Sequence, residues 1–219
     1  MHPSWLLPSW HPRSEIKSLI TTRHGGVSAS PYDSMNLAMH VGDDPEHVLA
    51  NRRRLALDLP SEPLWLNQVH SIEVVDADLA HAVVPVADAA VTTRADCVLS
   101  VMTADCLPVL LADDAASVIG IAHAGWRGLA LGVIEATLHQ MKLKAPAATQ
   151  WYAYLGPAIG PQHFEVGPEV KDIFVSTHPQ AATAFTAVGS EGKYLANLYA
   201  LARMRLQQAG VDNIAGGSD

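Results

Sequence analysis

The stretch SVMTADCLPVLLADDAASVIGIAHAGWRG, residues 100–128, decides the fold of this chain. It contains apolar runs rich in Val, Leu and Ile, which Pro, Asp and Gly residues interrupt. Runs of this length and composition are typical of buried β-strands. An Asp-Cys pair, Asp105 and Cys106, and a histidine, His123, stand at the ends of these runs. The stretch therefore predicts the centre of a sheet with polar side chains at its edge.

The rest of the chain predicts further strands and helices around this centre. Alternation and apolar runs predict strands at 16–28, 64–78, 98–103, 108–112, 118–122 and 151–156. Helical spacing predicts helices at 45–59, 125–142, 168–178 and 194–210, with Gly210 closing the last. Because strands and helices mix without strict alternation, we expect an α+β fold, a layered α-β-β-α sandwich with mixed sheets.

The composition is that of one globular domain. The chain has 219 residues, of which 49% are apolar and 16% are charged, and no linker-like segment divides it. We therefore expect a single domain over residues 1–219, folding alone or as a small homo-oligomer. Its two cysteines, Cys97 and Cys106, are too few for the disulfide framework of a secreted protein, so we expect a cytoplasmic protein with reduced thiols.

The charge and the N-terminal segment exclude two classes of partner. A net charge of −8 argues against binding a nucleic acid backbone, which requires clustered Lys and Arg. The first residues, MHPSWLLPSWHPRSE, have no basic leader and interrupt their apolar residues with prolines, so we expect neither a signal peptide nor a membrane anchor. The expected partners are therefore small molecules.

Three side chains are candidates for a metal site. Cys106 and His123 follow predicted neighbouring strands, which would present them at the same edge of the sheet, and His70 lies in the strand-like segment NQVHS. One thiolate and two imidazoles suit a zinc ion with an open fourth position. The same atoms also suit a thiol hydrolase with Cys106 as the nucleophile and a histidine as its base. The structural alternative is a buried cysteine with hydrogen-bonded histidines.

A second group of residues is suited to anions. The segment TTRHGG places Arg23 and His24 beside two glycines, and Arg127 falls in the first turn of a predicted helix. Guanidinium groups and free backbone N–H groups together bind anions such as phosphate. The alternative for Arg23 and His24 is a tight turn with solvated charges. Asp105 either caps backbone amides or acts as an acid/base group beside a metal.

The segments TTRHGGVS, NQVHS, TADCLPVLLAD, AHAGWRG and LGPAIGPQHFEVG, in this order, closely resemble the signature segments of the YfiH-like family, long labelled multicopper polyphenol oxidoreductase or laccase. The resemblance implies a cytosolic enzyme that phosphorolyses adenosine, inosine, guanosine and methylthioadenosine and deaminates adenosine. It also implies that His70, Cys106 and His123 are zinc or active-site ligands and that Arg23 faces substrate or phosphate.

The laccase label implies copper, and the residues favour this less than zinc. A His₂Cys set also forms blue-copper centres, but a multicopper oxidase needs many further imidazoles close together. No two of the 11 histidines here are separated by a single residue, the spacing on which copper clusters commonly draw. A copper polyphenol oxidase therefore stays an alternative, ranked below the purine nucleoside enzyme and the thiol hydrolase.

The end of the chain departs from the family pattern. Members of the family continue after a GG pair with a Cys-Thr pair and an aromatic tail bearing two adjacent arginines, whereas this sequence ends in IAGGSD. We therefore expect the domain of residues 1–219 to lack that tail. The missing tail bears on whether this chain turns over substrate and does not bear on its membership of the family.

Overall fold

The computed structural model describes residues 2–10, 12–189 and 192–217. The helices are α1 (Pro45–Ala56), α2 (Trp126–Leu131), α3 (Val133–Lys144), α4 (Pro168–Thr177) and α5 (Leu198–Gln208), with a 3₁₀ helix at Pro179–Ala184. The strands are β1 (Val74–Asp76), β2 (Ala89–Thr92), β3 (Leu107–Asp113), β4 (Ile119–Ala124), β5 (Trp151–Leu155), β6 (Glu165–Val166), β7 (Phe185–Val188), β8 (Lys193–Ala196) and β9 (Asn213–Gly216).

The strands form one large sheet and one small sheet. The large sheet has six strands in the order β1-β2-β4-β3-β5-β9, in which the outer pairs β1-β2 and β5-β9 are parallel and the inner pairs are antiparallel. The small sheet is antiparallel, in the order β6-β8-β7, and α4 packs beside it. The predicted α+β fold is confirmed with one mixed sheet, the large one; the second sheet is purely antiparallel.

Both faces of the central strands are covered, which explains their continuous apolar sequence. Val109 and Leu111 of β3 belong to the main core, which the large sheet shares with α3 and α5. The alternate residues of β3 face the other way, where Ala112 packs with Trp10 and Ile16 of the N-terminal segment. The predicted strands at 108–112, 118–122 and 151–156 are confirmed as β3, β4 and β5.

Three other predicted strands are wrong or much shorter. Residues 16–28 and 98–103 form no strand; they take part only in single bridges, Leu6 with Ile20 and Leu64 with Leu99. Of residues 64–78, only Val74–Asp76 is a strand. Side chains bind the backbone in these segments in place of a neighbouring strand. The buried Asn51 amide, for example, accepts from the Val27 N–H and donates to the Ser34 and Asn36 carbonyls.

The helix predictions hold in two cases and need correction in two. The helices at 45–59 and 168–178 are confirmed as α1 and α4, and the Asp44 carboxylate caps α1 by accepting from the Glu46 N–H. The helix predicted at 125–142 is interrupted at Gly132, whose φ of 102° is left-handed, so that α2 and α3 are separate. The helix predicted at 194–210 begins only at Leu198, because the preceding residues belong to β8.

The described helices are all short. None of them, within the ranges that the structure covers, combines the length and hydropathy that a bilayer crossing requires.

Candidate metal centre

The three candidate ligands come together at one edge of the large sheet. Cys106 directly precedes β3, and His123 lies near the end of β4, where the antiparallel register pairs it with Pro108. His70 reaches the same edge from the loop before β1. The expected juxtaposition of Cys106 and His123 therefore occurs, but it arises because the start of β3 meets the end of β4. Residues 98–103, which were predicted to present Cys106 as a strand, form no strand.

The geometry of this triad is suited to a single ion. The ligand atoms of His70, Cys106 and His123 all lie within 4.8 Å of one another, and Cys106 Sγ is 3.8 Å from His70 Nε2. Tetrahedral zinc with thiolate and imidazole ligands separates them by roughly 3.5 Å, so a small contraction would bring the three into bonding range. Among the described residues, they form the one group of His, Cys, Asp or Glu suited to a metal.

Gly125 leaves the space that the triad occupies. A Cβ atom at this position would lie 2.7 Å from Cys106 Sγ and 3.0 Å from His70 Cδ2. Contacts this short between carbon atoms and neighbouring side chains are repulsive. The glycine of the HAGW segment is therefore required for His70 and Cys106 to approach each other.

Asp88 holds two of the three candidate ligands. Its carboxylate is completely buried and lies 2.8 Å from His123 Nδ1. The same carboxylate accepts the backbone N–H groups of Val69, His70 and Ser71, at 3.1, 2.9 and 2.6 Å, and the Ser71 hydroxyl at 2.9 Å. Because Nδ1 of His123 is engaged, Nε2 is the nitrogen left for a metal, an arrangement that many metal-binding histidines share.

The loop that carries His70 has an unusual backbone. His70 has a φ of 61°, in the left-handed region, which costs a residue other than glycine about 1 kcal/mol. The hydrogen bonds from three consecutive N–H groups to Asp88 stabilise this conformation. A second clamp lies two residues earlier, where Gln68 Nε2 donates to the Met102 carbonyl and the Met102 N–H donates to Gln68 Oε1, both at 2.8 Å. The segments that carry His70 and Cys106 are thereby joined.

The site perturbs the protonation of its members in opposite directions. Burial opposes the charged form of Asp88, but hydrogen bonds from His123 and Ser71 outweigh it and hold the Asp88 pKa well below its usual range. Burial also opposes protonation of His123, yet the hydrogen bonds with Asp88 and Cys106 raise its pKa to about 9. Burial lowers the pKa of His70, and the charges of His123 and Arg127 act in the same direction.

These shifts predict how the stability of the metal-free protein depends on pH. The pKa of His123 is about 9 in the folded chain against 6.5 for a free histidine, so its contribution is complete below pH 6.5 and is lost as the pH rises through 9. We expect the melting temperature of the metal-free protein to fall between pH 6.5 and 9.5, more steeply than that of the His123→Gln variant. Thermal unfolding after chelation measures this, and equal slopes in the two proteins would contradict it.

Asp105 and Arg127 lie beside the triad without belonging to the ligand group. Asp105 precedes Cys106, is exposed, and accepts the Ile159 N–H through its backbone carbonyl. Arg127 is the second residue of α2, and its guanidinium lies 4.5 Å from the centre of the Trp126 ring. Its positive charge contributes to lowering the pKa of His70. Arg127 is therefore close enough to act on His70 electrostatically, and Asp105 adjoins Cys106 in sequence.

Arg23 and His24 lie on an exposed loop. The Arg23 guanidinium is 3.2 Å from the Asp33 carboxylate and donates from Nε to the Asp33 carbonyl. Ile20, three residues before Arg23, lies near Gly156, where an added Cβ atom would be 3.6 Å from Ile20 Cδ1. His24 is exposed, and no contact between either residue and the triad is found in the described ranges.

Of two clefts on the described surface that we compare, one adjoins the segments that carry the triad. The larger, about 530 Å³, is lined by residues 61–64, 77 and 94–98. The smaller, about 270 Å³, is lined by Met39, His40, Arg52, Trp65, Leu66, Asn67, Val84 and Met102. Asn67 precedes Gln68, and Met102 is the residue that the Gln68 side chain binds, so the smaller of these two clefts adjoins the segments that carry His70 and Cys106.

Sequence reasoning missed Asp88 and Gln68. Asp88 stands alone among small apolar residues in VADAAV, and a single carboxylate in such a run was the available signal for a buried partner. Gln68 lies in the NQVHS segment and gave no signal of its own, because its two bonds go to backbone atoms 34 residues away.

The fold agrees with the comparison to known families. The family model described as multi-copper polyphenol oxidoreductase laccase matches residues 17–218, and the chain belongs to this family. The predicted resemblance to YfiH-like proteins is thereby confirmed.

Similar proteins carry a more specific name. A Pseudomonas aeruginosa protein named purine nucleoside phosphorylase is 45% identical over 98% of this chain and 86% of its own length. The purine nucleoside phosphorylase YfiH of Escherichia coli K12 is 45% identical over 97% of this chain and 86% of its own length.

Solved structures share the architecture. The crystal structure of a Neisseria meningitidis protein of the DUF152 family superposes with a TM-score of 0.90 at 48% identity, covering 98% of this chain and 87% of that one. YlmD from Geobacillus stearothermophilus superposes with a TM-score of 0.89 at 32% identity, covering 98% and 85%.

Proposed function

We propose that this chain is a zinc-dependent purine nucleoside phosphorylase that also deaminates adenosine. The observation that carries the proposal is the convergence of His70, Cys106 and His123 at one sheet edge, with His123 oriented by a buried carboxylate. The substrate class comes from similar proteins, which are named purine nucleoside phosphorylases. We propose adenosine, inosine, guanosine and methylthioadenosine as substrates of phosphorolysis.

The donor set fits zinc. Thiolate and imidazole are preferred ligands of zinc and poor ligands of hard cations such as magnesium. His70, Cys106 and His123 would hold the ion, and Gly125 provides the space in which the three meet. When bound, zinc supplies Lewis acidity, which stabilises negative charge and lowers the pKa of water.

The remaining candidate residues have side chains suited to the two reactions. In phosphorolysis, a phosphate oxygen bonds to C1′ of the ribose while the C1′–N9 bond breaks, and the departing purine takes up a proton. We propose that Arg23, His24 and Arg127 bind and orient the phosphate, and that Asp105, exposed beside Cys106, transfers protons. In deamination, water adds to the amino-bearing carbon and ammonia leaves, which also requires a proton-transfer group.

The reaction predicts release of hypoxanthine from inosine only when phosphate is present. Arg23→Ala removes a charged donor to phosphate, and the loss of about 2 kcal/mol corresponds to a roughly 30-fold lower kcat/KM for phosphate. Arg13→Ala is the matched control, because Arg13 is also an exposed arginine near a carboxylate, Glu15. Chromatography of the free base with and without phosphate measures the effect.

Two results would contradict these assignments. Equal hypoxanthine release without phosphate would mean hydrolysis, and an Arg23→Ala enzyme with unchanged phosphate dependence would remove Arg23 from the phosphate site. The deaminase activity has its own assay, the release of ammonia from adenosine in the absence of phosphate.

A thiol hydrolase is the second candidate, because Cys106 Sγ lies 3.8 Å from His70 Nε2. This distance is close enough for the histidine to take the thiol proton after a small movement. A thiol hydrolase would keep its activity after chelation and lose it on alkylation of Cys106. The zinc enzyme would lose activity on chelation and regain it with zinc.

A copper polyphenol oxidase is the third candidate, following from the description of the family model. The His₂Cys donor set also suits copper. Strong visible absorption after copper loading, together with oxidation of phenols and no turnover of nucleosides, would favour copper over zinc.

A further inference from the structure

We propose that the cleft of about 270 Å³ beside the triad is the binding site for the purine base of the nucleoside. The inference rests on the proposed function, because it assigns the base of the same substrate. Small-molecule sites are usually concave and mainly apolar, with a few polar groups that fix orientation. The walls of this cleft have that character.

The apolar walls offer flat surfaces to a planar ring. The Arg52 guanidinium lies 3.8 Å from the centre of the Trp65 ring, so the two planar groups form a stack at the cleft. Arg52 is fixed in this place because its Nε donates to the Leu37 carbonyl at 2.9 Å. Nucleic acid bases stack on both aromatic rings and guanidinium planes. Met39 and Met102 add adaptable apolar surface.

Polar groups at the cleft match the edge of a purine. The Asn67 amide offers both a donor and an acceptor, and the His40 ring offers one of each when neutral. Among the described residues, neither side chain makes a hydrogen bond, so both are available to a ligand. A purine presents ring nitrogens and an exocyclic group that require such partners.

The cleft is tied to the proposed reaction centre. Asn67 precedes His70 by three residues, so at most about 11 Å of extended chain separates them. Met102, on the opposing segment, is fixed by both hydrogen bonds to Gln68. A base held here would therefore place the ribose toward His70 and Cys106. The larger cleft lacks this connection, and its walls include the charged residues Glu62, Arg94 and Asp96.

Val84→Trp tests the site by filling the cleft. Val84 lines the cleft and is 56% exposed, so a larger side chain is accommodated without disturbing the core. Val83→Trp is the matched control, since Val83 is adjacent, 78% exposed and outside the cleft wall. We expect the affinity for hypoxanthine, measured by titration calorimetry on the zinc-loaded protein without phosphate, to fall at least tenfold in Val84→Trp. The affinity of Val83→Trp should match that of the unmodified chain.

A second variant tests the polar edge. Asn67→Leu preserves side-chain size and removes the amide, so it should weaken hypoxanthine binding and raise KM for inosine while zinc content stays at one ion per chain. Equal hypoxanthine affinity in Val84→Trp and Val83→Trp, or no binding by the unmodified chain, would overturn the assignment. Failure of the proposed function is seen separately, as absence of hypoxanthine release from inosine in a phosphate-containing assay.

Discussion

Cys106→Ala is expected to abolish zinc binding and nucleoside turnover. The unmodified chain, purified without added metal, should contain about one zinc ion per chain, because its donor set has one thiolate and two imidazoles. Removal of the thiolate leaves two imidazoles on different segments, which do not retain zinc against dilution. We expect the zinc content to fall below about one tenth of an ion per chain. Elemental analysis after desalting measures it.

Cys97→Ala is the matched control for this variant. Cys97 is the other cysteine of the chain, is also half-buried and free, and lines the larger cleft. Cys97→Ala should retain zinc and turnover at the level of the unmodified chain. Zinc that survives unchanged in Cys106→Ala would show that the metal site lies elsewhere. Retained turnover in metal-free protein, abolished by Cys106→Ala, would support the thiol hydrolase.

Asp88→Asn is expected to lower zinc affinity by about 10–100-fold, the usual effect of losing a carboxylate that orients a metal-binding histidine. The Asp88 carboxylate accepts from His123 and from three backbone N–H groups. An asparagine at this position presents an NH₂ group in place of one carboxylate oxygen, so its N–H groups would face at least one of these N–H donors. Because the carboxylate is fully buried, we also expect the free energy of unfolding to fall by about 3 kcal/mol. Competition with a zinc chelator and urea unfolding measure the two effects.

Asp113→Asn is the matched control, because it distinguishes the loss of ligand orientation in Asp88→Asn from a general loss of stability. Asp113 is also fully buried, and its carboxylate accepts from the Ser117 N–H and hydroxyl and the Val118 N–H. It ends β3, about 20 Å along the strand from the Cys106 end. We expect Asp113→Asn to destabilise the chain while zinc affinity stays unchanged. Equal zinc affinity in Asp88→Asn and the unmodified chain would remove Asp88 from the metal centre.

Local sequence pattern was sufficient where the burial of a segment depends on residues a few positions apart. The apolar runs of β3, β4 and β5 predicted the centre of the sheet, and helical spacing from residue 45 onward predicted α1. The pattern failed at 16–28 and 98–103, where apolar residues pack without forming a strand. Alternation indicates which side chains are buried, not whether the backbone forms a strand. A segment that is held by side chains such as Asn51 buries its apolar residues equally well.

The reactive atoms of the site could be predicted from the sequence. The residues that hold those atoms in place could not. A cysteine and two histidines among apolar runs indicated a metal or nucleophile, and the structure brings His70, Cys106 and His123 within 4.8 Å. The roles of Asp105, Arg23, His24 and Arg127 stay predictions, with Arg23 engaged by Asp33 in the structure. The spacing in sequence of Asp88, His70 and His123 matches no local motif, because their contacts form only when separate strands pair.

The sequence by itself determined three things: the class of fold through apolar periodicity, the family through the resemblance of its signature segments, and the three candidate donor atoms through residue chemistry. All three rest on local properties of the chain. Only the tertiary structure decided that Asp88 orients His123, that Gln68 joins the two ligand-bearing segments, and that Trp65 and Arg52 stack beside them. The physical reason is that hydrogen bonds and stacking act over about 3–4 Å. Residues 34 or 35 positions apart reach that distance only when the packed sheet brings them there.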